Sequence, residues 1–161
     1  MESTNALTRL ADQPALDIVA EPLSQVVRGA YQAAGPAGQR AKNAVHGVWL
    51  GHPLHPVFTD LPIGAWTTAL VLDAAAAASH DRGMERAADV AIAVGLAGAA
   101  AAAVTGLTDW SETSGRSRRT GLVHGLLNIA ATTLFASAYI LRKGGSRTTG
   151  QSCVSPATPL R

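Results

Sequence analysis

Residues 49–78 read WLGHPLHPVFTDLPIGAWTTALVLDAAAAA, and the two halves of this stretch differ sharply in character. From Val57 to Ala78 the only charged residues are Asp60 and Asp73. Coiled as an α-helix at about 1.5 Å per residue, such a run crosses a hydrocarbon core of about 30 Å. Immediately ahead of it stand His52, Pro53, His55 and Pro56. Ionisable groups at the mouth of an apolar run are costly unless paired, hydrated or used, so a function shows there first.

Two more segments repeat the pattern, about Ala88 to Leu107 and about Gly121 to Leu141. Charged residues make up 15% of the chain against about 25% for an ordinary soluble domain, while apolar residues make up 47%. A soluble fold would need three Ala-rich helices, apolar all round, with too little polar surface to cover them. The expectation is therefore an all-α integral membrane bundle of three transmembrane helices with an amphipathic N-terminal arm. Its parts are the arm over 1–44, the bundle over 45–142 and a disordered polar tail over 143–161.

Charge narrows the partners. A net charge of +2 with scattered arginines gives no nucleic-acid face. The single cysteine, Cys153, excludes an internal disulfide framework. No basic segment followed by an apolar stretch precedes the first span, so that span is expected to direct insertion. Arg40, Lys42, Arg116, Arg118 and Arg119 on one side balance Arg82, Arg86, Arg142, Lys143 and Arg147 on the other, which favours neither orientation.

In the arm, Leu16, Val19, Leu23, Val26 and Ala30 recur at helical spacing opposite Asp17, Glu21, Ser24 and Arg28. Pro22 is expected to start this helix and Gly35-Pro36-Ala37-Gly38 to end it. It would lie along the membrane surface, pack on a partner or fold against its own bundle. A second short helix is expected from about Ala37 to Leu50, with Trp49 and Trp110 marking one interface. In the second span Gly95, Gly98, Ala102, Thr105, Gly106 and Asp109 form a small-residue face. Gly121, His124, Gly125, Asn128 and Thr132 form another in the third, and both faces are expected to point into the bundle. Asp73 is expected to pair with Arg82 or Arg86.

Alternating spans bring the start of the first, the end of the second and the start of the third to one membrane side. His52, His55, Asp60, Asp109 and His124 all fall there, with Thr105, Asn128 and Trp66 as lining. In an extended Pro-rich segment of about three residues per turn, His52 and His55 share a side. Pro56 and Pro62 are placed in or just before the first helical turn, with Asp60 near the positive end of the helix dipole. Three chemistries fit these residues. Haem b held axially by His55 and His124 is one, and a divalent metal on His52, His55 or His124, with carboxylates orienting the imidazoles, is another. A network of His–Asp hydrogen bonds without any cofactor is the third. It leads, because buried His and Asp stabilise each other wherever they meet and no spacing here matches HExxH or paired CxxC. A nucleophile elbow, a phosphate loop and a dinucleotide fingerprint are all missing from the sequence, so a non-enzymatic role is favoured over the remaining enzymatic reading, a metal enzyme at the His–Asp cluster.

Four ordered motifs add a resemblance. They are Gly51-His52-Pro53-Leu54-His55-Pro56, Thr59-Asp60-Leu61-Pro62-Ile63-Gly64, Thr105-Gly106-Leu107-Thr108-Asp109-Trp110 and Gly121-Leu122-Val123-His124-Gly125-Leu126-Leu127-Asn128. Over about Val45 to Arg142 the chain resembles the bacterial membrane family catalogued as domain of unknown function 2231. The resemblance implies a small bundle of spanning helices, often four, in the bacterial inner membrane. It also implies a frequent association with Rieske iron-sulfur proteins, and hence a membrane anchor or an electron-transfer partner. The two Cys-His pairs of a Rieske cluster are not in this sequence. The chain turns polar at Gly144, so three spans are expected here, with a protein partner or a second copy covering the place of a fourth. The resulting reading is a non-enzymatic inner-membrane subunit, either anchor or redox-associated, with a purely structural assembly subunit as the alternative.

Overall fold

The computed structural model of the chain describes residues 6–146 and Val154, with side chains from residue 9 onward. It is all-helical over the described residues. Helices α1 (Ala6–Ala11), α2 (Asp17–Ala33) and α3 (Gly35–His46) precede α4 (Leu54–Ser79), α5 (Arg82–Ser111) and α6 (Gly115–Lys143). The last three are long and apolar enough to cross a membrane. Beyond Ser146 the polar tail expected to be disordered, Cys153 included, lies outside the described residues, Val154 apart.

The helices outrun the apolar runs because their ends are built from polar stops. His80 takes a left-handed φ of 57°, closing α4 as its N–H donates to the Ala76 carbonyl at 2.8 Å. Two residues later α5 starts, with the Gly83 N–H donating to Asp81 Oδ1 at 2.6 Å. A carboxylate so placed satisfies an otherwise orphaned amide and offsets the helix dipole. At the other end of the chain, α2 begins at Asp17 and not at Pro22, which lies exposed inside the helix. There solvent can satisfy the carbonyl that proline leaves without a donor. Helix α3 starts at Gly35 and ends at His46, and a separate 3-10 turn covers Val48–Leu50.

The chain divides into two compact units. One joins residues 57–101 to 129–161. Its interior is mostly small: Ala69, Ala76, Ala88 and Ala138 are buried around a single large apolar side chain, Ile92, whereas Val71, Val90, Leu134 and Ile140 are exposed. A water-soluble domain buries its large apolar side chains, so this inversion identifies lipid as the solvent. The small-residue face of α5 sits where expected. Gly95 backs onto the Trp66 indole, which stacks on Phe135 with ring centroids 4.3 Å apart. A Cβ on Gly98 would come within 2.6 Å of Leu61 Cβ and 3.0 Å of Pro62 Cδ. Pro62 is thus an interior residue of α4, buried in packing and not in the first turn. Such prolines are tolerated in spanning helices, where neighbouring groups compensate the lost donor.

Asp73 does not pair with Arg82 or Arg86. It takes Arg142 from the last turn of α6, with Nη2 donating to Oδ2 at 2.6 Å and Nη1 to Oδ1 at 3.1 Å. Nη1 also reaches Asp89 Oδ1 at 3.4 Å. Depth explains the choice. Asp73 lies six residues before the end of α4 and Asp89 seven after the start of α5, so both stand about 10 Å from the turn at 1.5 Å per residue. Arg82 and Arg86 are exposed nearer that turn.

The second unit joins residues 1–56 to 102–128. Here the arm grips the ends of α5 and α6 through polar contacts. Arg118 is buried and donates from Nη1 to Ser24 Oγ at 3.1 Å, while Arg119 pairs with Asp17 at 2.9 Å and Arg116 with Asp12 at 2.6 Å. Tyr31 and Thr108 hydroxyls meet at 2.8 Å. Since Thr108 donates its own proton to the Val104 carbonyl, Tyr31 is the donor between them. The arm therefore packs on its own chain, through Ala20 and Ser24, and leaves Ile18, Val19 and Val26 exposed.

The small-residue strip of α6 is only partly inward. Gly121 backs onto Trp110, but His124 and Asn128 are exposed, and Leu122 and Val123 are buried instead. Arg118 sets the rotation: it is buried, and Leu122 follows it four residues later on the same helix face.

Candidate histidine site

The first turns of α4 and the facing ends of α5 and α6 carry the site. Helix α4 begins at Leu54, so His52 lies in a bend outside it and His55 in its first turn. The extended segment expected to run through both histidines stops at Pro53, because Pro56 is well accommodated in a first helical turn and lets the helix form around it. His52 and His55 therefore do not share an extended strip. The exposed His52 contributes its carbonyl, which closes against Gly47 in its left-handed turn.

His55 is held from two sides. Its Nδ1 lies 2.9 Å from the Ala102 carbonyl, which can only accept, so Nδ1 carries a proton, and in the tautomer this selects the lone pair is on Nε2. Gly106, one turn further along α5, makes the room: a Cβ there would lie 2.6 Å from His55 Cε1 and 2.7 Å from Nδ1. The ring of His124 meets that of His55 edge-on, with centroids 6.3 Å apart and planes at 89°. Asn128 donates to the His124 carbonyl at 2.8 Å, and its amide nitrogen lies 3.1 Å from His124 Nε2.

Asp109 joins a different histidine. His46, at the end of α3, donates from Nδ1 to Asp109 Oδ1 at 2.6 Å. His46 escaped the sequence reading because it stands in a polar helix without a motif. Its signal was positional: it ends a helix just before Gly47, on the membrane side to which alternation assigns Asp109. Next to this pair, Lys42 bonds Glu112 at 2.8 Å. That bond holds the Glu112 carboxyl below the ordinary carboxylate range, with burial opposing it and the field of Lys42 adding to it.

Of the residues expected at the site, His55 and His124 meet, and Asp109 stands with His46. Asp60 is exposed on α4 and Trp66 stacks on Phe135, both in the other unit. Thr105 is buried and donates to the Ala102 carbonyl at 3.2 Å, the same oxygen that orients His55. Among the described residues no group of three or more His, Cys, Asp or Glu side chains is assembled to hold a metal ion. A two-ligand centre is the donor set that His55 and His124 can supply.

Three apolar spans, a core dominated by small residues and many valines, leucines and isoleucines on the exterior define a multi-pass membrane protein. Residues 51–157 match the model of the family described as predicted membrane protein (DUF2231), and the chain belongs to that family. No curated protein and no solved structure matches it.

Proposed function

We infer that this chain is a non-enzymatic subunit of the bacterial inner membrane that anchors or accompanies a redox protein, with His55 and His124 as a two-histidine cofactor pair. The observation that carries this reading is the state of His55. A histidine that ligates a metal nearly always donates its other ring proton to a carbonyl or carboxylate, which fixes tautomer and orientation. The Ala102 carbonyl does this for His55. Two imidazoles sharing one ion at about 2.0–2.1 Å from each nitrogen have ring centroids on the order of 6 Å apart, close to the 6.3 Å found here. A divalent metal would need further protein ligands, whereas two histidines are enough to hold a haem iron, so the pair would suit haem b better. Ligation by His124 would exchange its contact with Asn128 for a bond to iron. The candidate partner is a Rieske iron-sulfur protein, an expectation that rests on the resemblance of the four motifs. Haem, when bound, would supply one-electron chemistry; the protein would hold it and set its orientation.

One observation favours the alternative, a structural assembly subunit without cofactor. The ring of His55 fills the notch at Gly106 as a packed side chain does. Absorption spectroscopy separates the two. Protein expressed with haem supply and purified in detergent is expected to show a Soret band that His55→Ala and His124→Ala each remove. A wild-type protein without the band overturns the cofactor reading in favour of the structural one, and a band that survives both substitutions overturns the assignment of His55 and His124 as its ligands.

A further inference from the structure

The first turns of α5 and the last turns of α6 line an open groove of about 240 Å³. Arg86 and Lys143 line it, one from each helix, beside Tyr139. Lys143 Nζ stands 5.3 Å from the Tyr139 ring centroid, a cation–π distance that steadies the ammonium at the rim. Val90 and Val94 line the same groove four and eight residues beyond Arg86, hence about 6 and 12 Å further along α5. Both valines are exposed. The groove also holds a carboxylate, Asp89, which shares Arg142 with Asp73 at 3.4 Å, so these three residues keep one negative charge against the two groove cations.

We propose that this groove binds an anionic phospholipid, with Arg86 and Lys143 flanking the headgroup phosphate and an acyl chain lying along Val90 and Val94. The order of groups matches such a lipid. Cations stand at the helix ends, where headgroups lie, the Tyr139 ring sits one turn in, and apolar side chains continue into the span. At about 240 Å³ the groove falls below the size of pockets that enclose whole small ligands, and fits a headgroup whose chains run out over an apolar surface. Exposed Ile140 extends that surface on α6. The site depends only on the spans lying in lipid and is independent of any cofactor at His55.

Native mass spectrometry of the full chain in detergent tests it, with phosphatidylglycerol, phosphatidylcholine and inorganic phosphate as probes. A basic side chain at an anionic lipid surface favours binding roughly fivefold, so two give a preference of about 25-fold for phosphatidylglycerol over phosphatidylcholine. Arg86→Gln/Lys143→Gln is expected to bring that preference to about 2-fold or less, Arg86→Lys/Lys143→Arg to keep most of it, and Arg40→Gln to leave it unchanged. Circular dichroism of each variant confirms that helicity is retained. The proposal is overturned if the wild type shows no preference, if the double Gln variant keeps it, or if inorganic phosphate at millimolar concentration displaces the lipid, which would make the groove a site for free phosphate.

Discussion

In Arg142→Met the guanidinium that bonds Asp73 at 2.6 and 3.1 Å and Asp89 at 3.4 Å gives way to an apolar side chain of similar reach. The Arg142 side chain is fully buried, so no water replaces it. Two carboxylates then lose the guanidinium that bonds both, and the formal charge of the three residues goes from −1 to −2. Removing one partner of a buried ion pair costs about 3–5 kcal/mol, because a charge is left uncompensated. Asp73→Asn acts differently. It removes one carboxylate and leaves Arg142 and Asp89 as a formally neutral pair, so its cost falls to that of a weakened charged hydrogen bond, about 1.5–3 kcal/mol. Combining Arg142→Met with Asp73→Asn and Asp89→Asn removes all three charges and is expected to recover most of the loss. Unfolding in detergent, followed by far-UV circular dichroism with increasing dodecyl sulfate, measures the order. Arg142→Met within about 1 kcal/mol of wild type, or more stable than Asp73→Asn, would refute the reasoning.

Gly106→Ala places a Cβ against the His55 ring and breaks its bond to Ala102. Overpacking of this kind costs about 1–3 kcal/mol, and wild-type stability would show that the ring is not seated there. Ser24→Ala removes the acceptor of Arg118 Nη1, and Arg118 Nε is already buried without a partner. A loss of about 1–3 kcal/mol is expected, read as faster proteolysis within α2; an unchanged cleavage rate would contradict the arm's attachment through this bond. The Lys42 bond lowers the Glu112 carboxyl in the folded chain, so its contribution is present above the unfolded value of about 4.3 and is lost as pH falls through the folded one. The advantage of wild type over Glu112→Gln in thermal stability should therefore be small at neutral pH and vanish in acid. A difference that stays constant down to pH about 3 would rule this out.

The spans were legible because they need only length and hydropathy, which the sequence displays directly. The α5 small-residue face was legible for a related reason: Gly95 and Gly98 matter through what they lack, and close approach is the one use for such spacing in lipid. The helix ends were less so, since they depend on single polar atoms such as Asp81 Oδ1 and on which proline falls in a first turn: Pro56 does, as its sequence context implies, and Pro62 does not. The ionic partners were hidden by distance along the chain. Arg142 is 69 residues from Asp73, and the arginines nearer in sequence lie at the wrong depth.

Depth also sorts the histidines. His55 stands in the first turn of α4, where the carbonyl of Ala102 and the gap at Gly106 are available. Asp109, one turn nearer the end of α5, is level with His46 at the end of α3. A reading that asked only which membrane side each residue occupies grouped all of these together, and one helical turn of about 5.4 Å is enough to divide them into two pairs. The division has a chemical consequence. Asp109 is committed to His46, so a cofactor at His55 and His124 would meet, at His55, an imidazole oriented by the Ala102 carbonyl instead of by a carboxylate. A neutral carbonyl makes the His55 ring less electron-rich than a carboxylate would, so His55 would be the weaker electron donor to any metal it held.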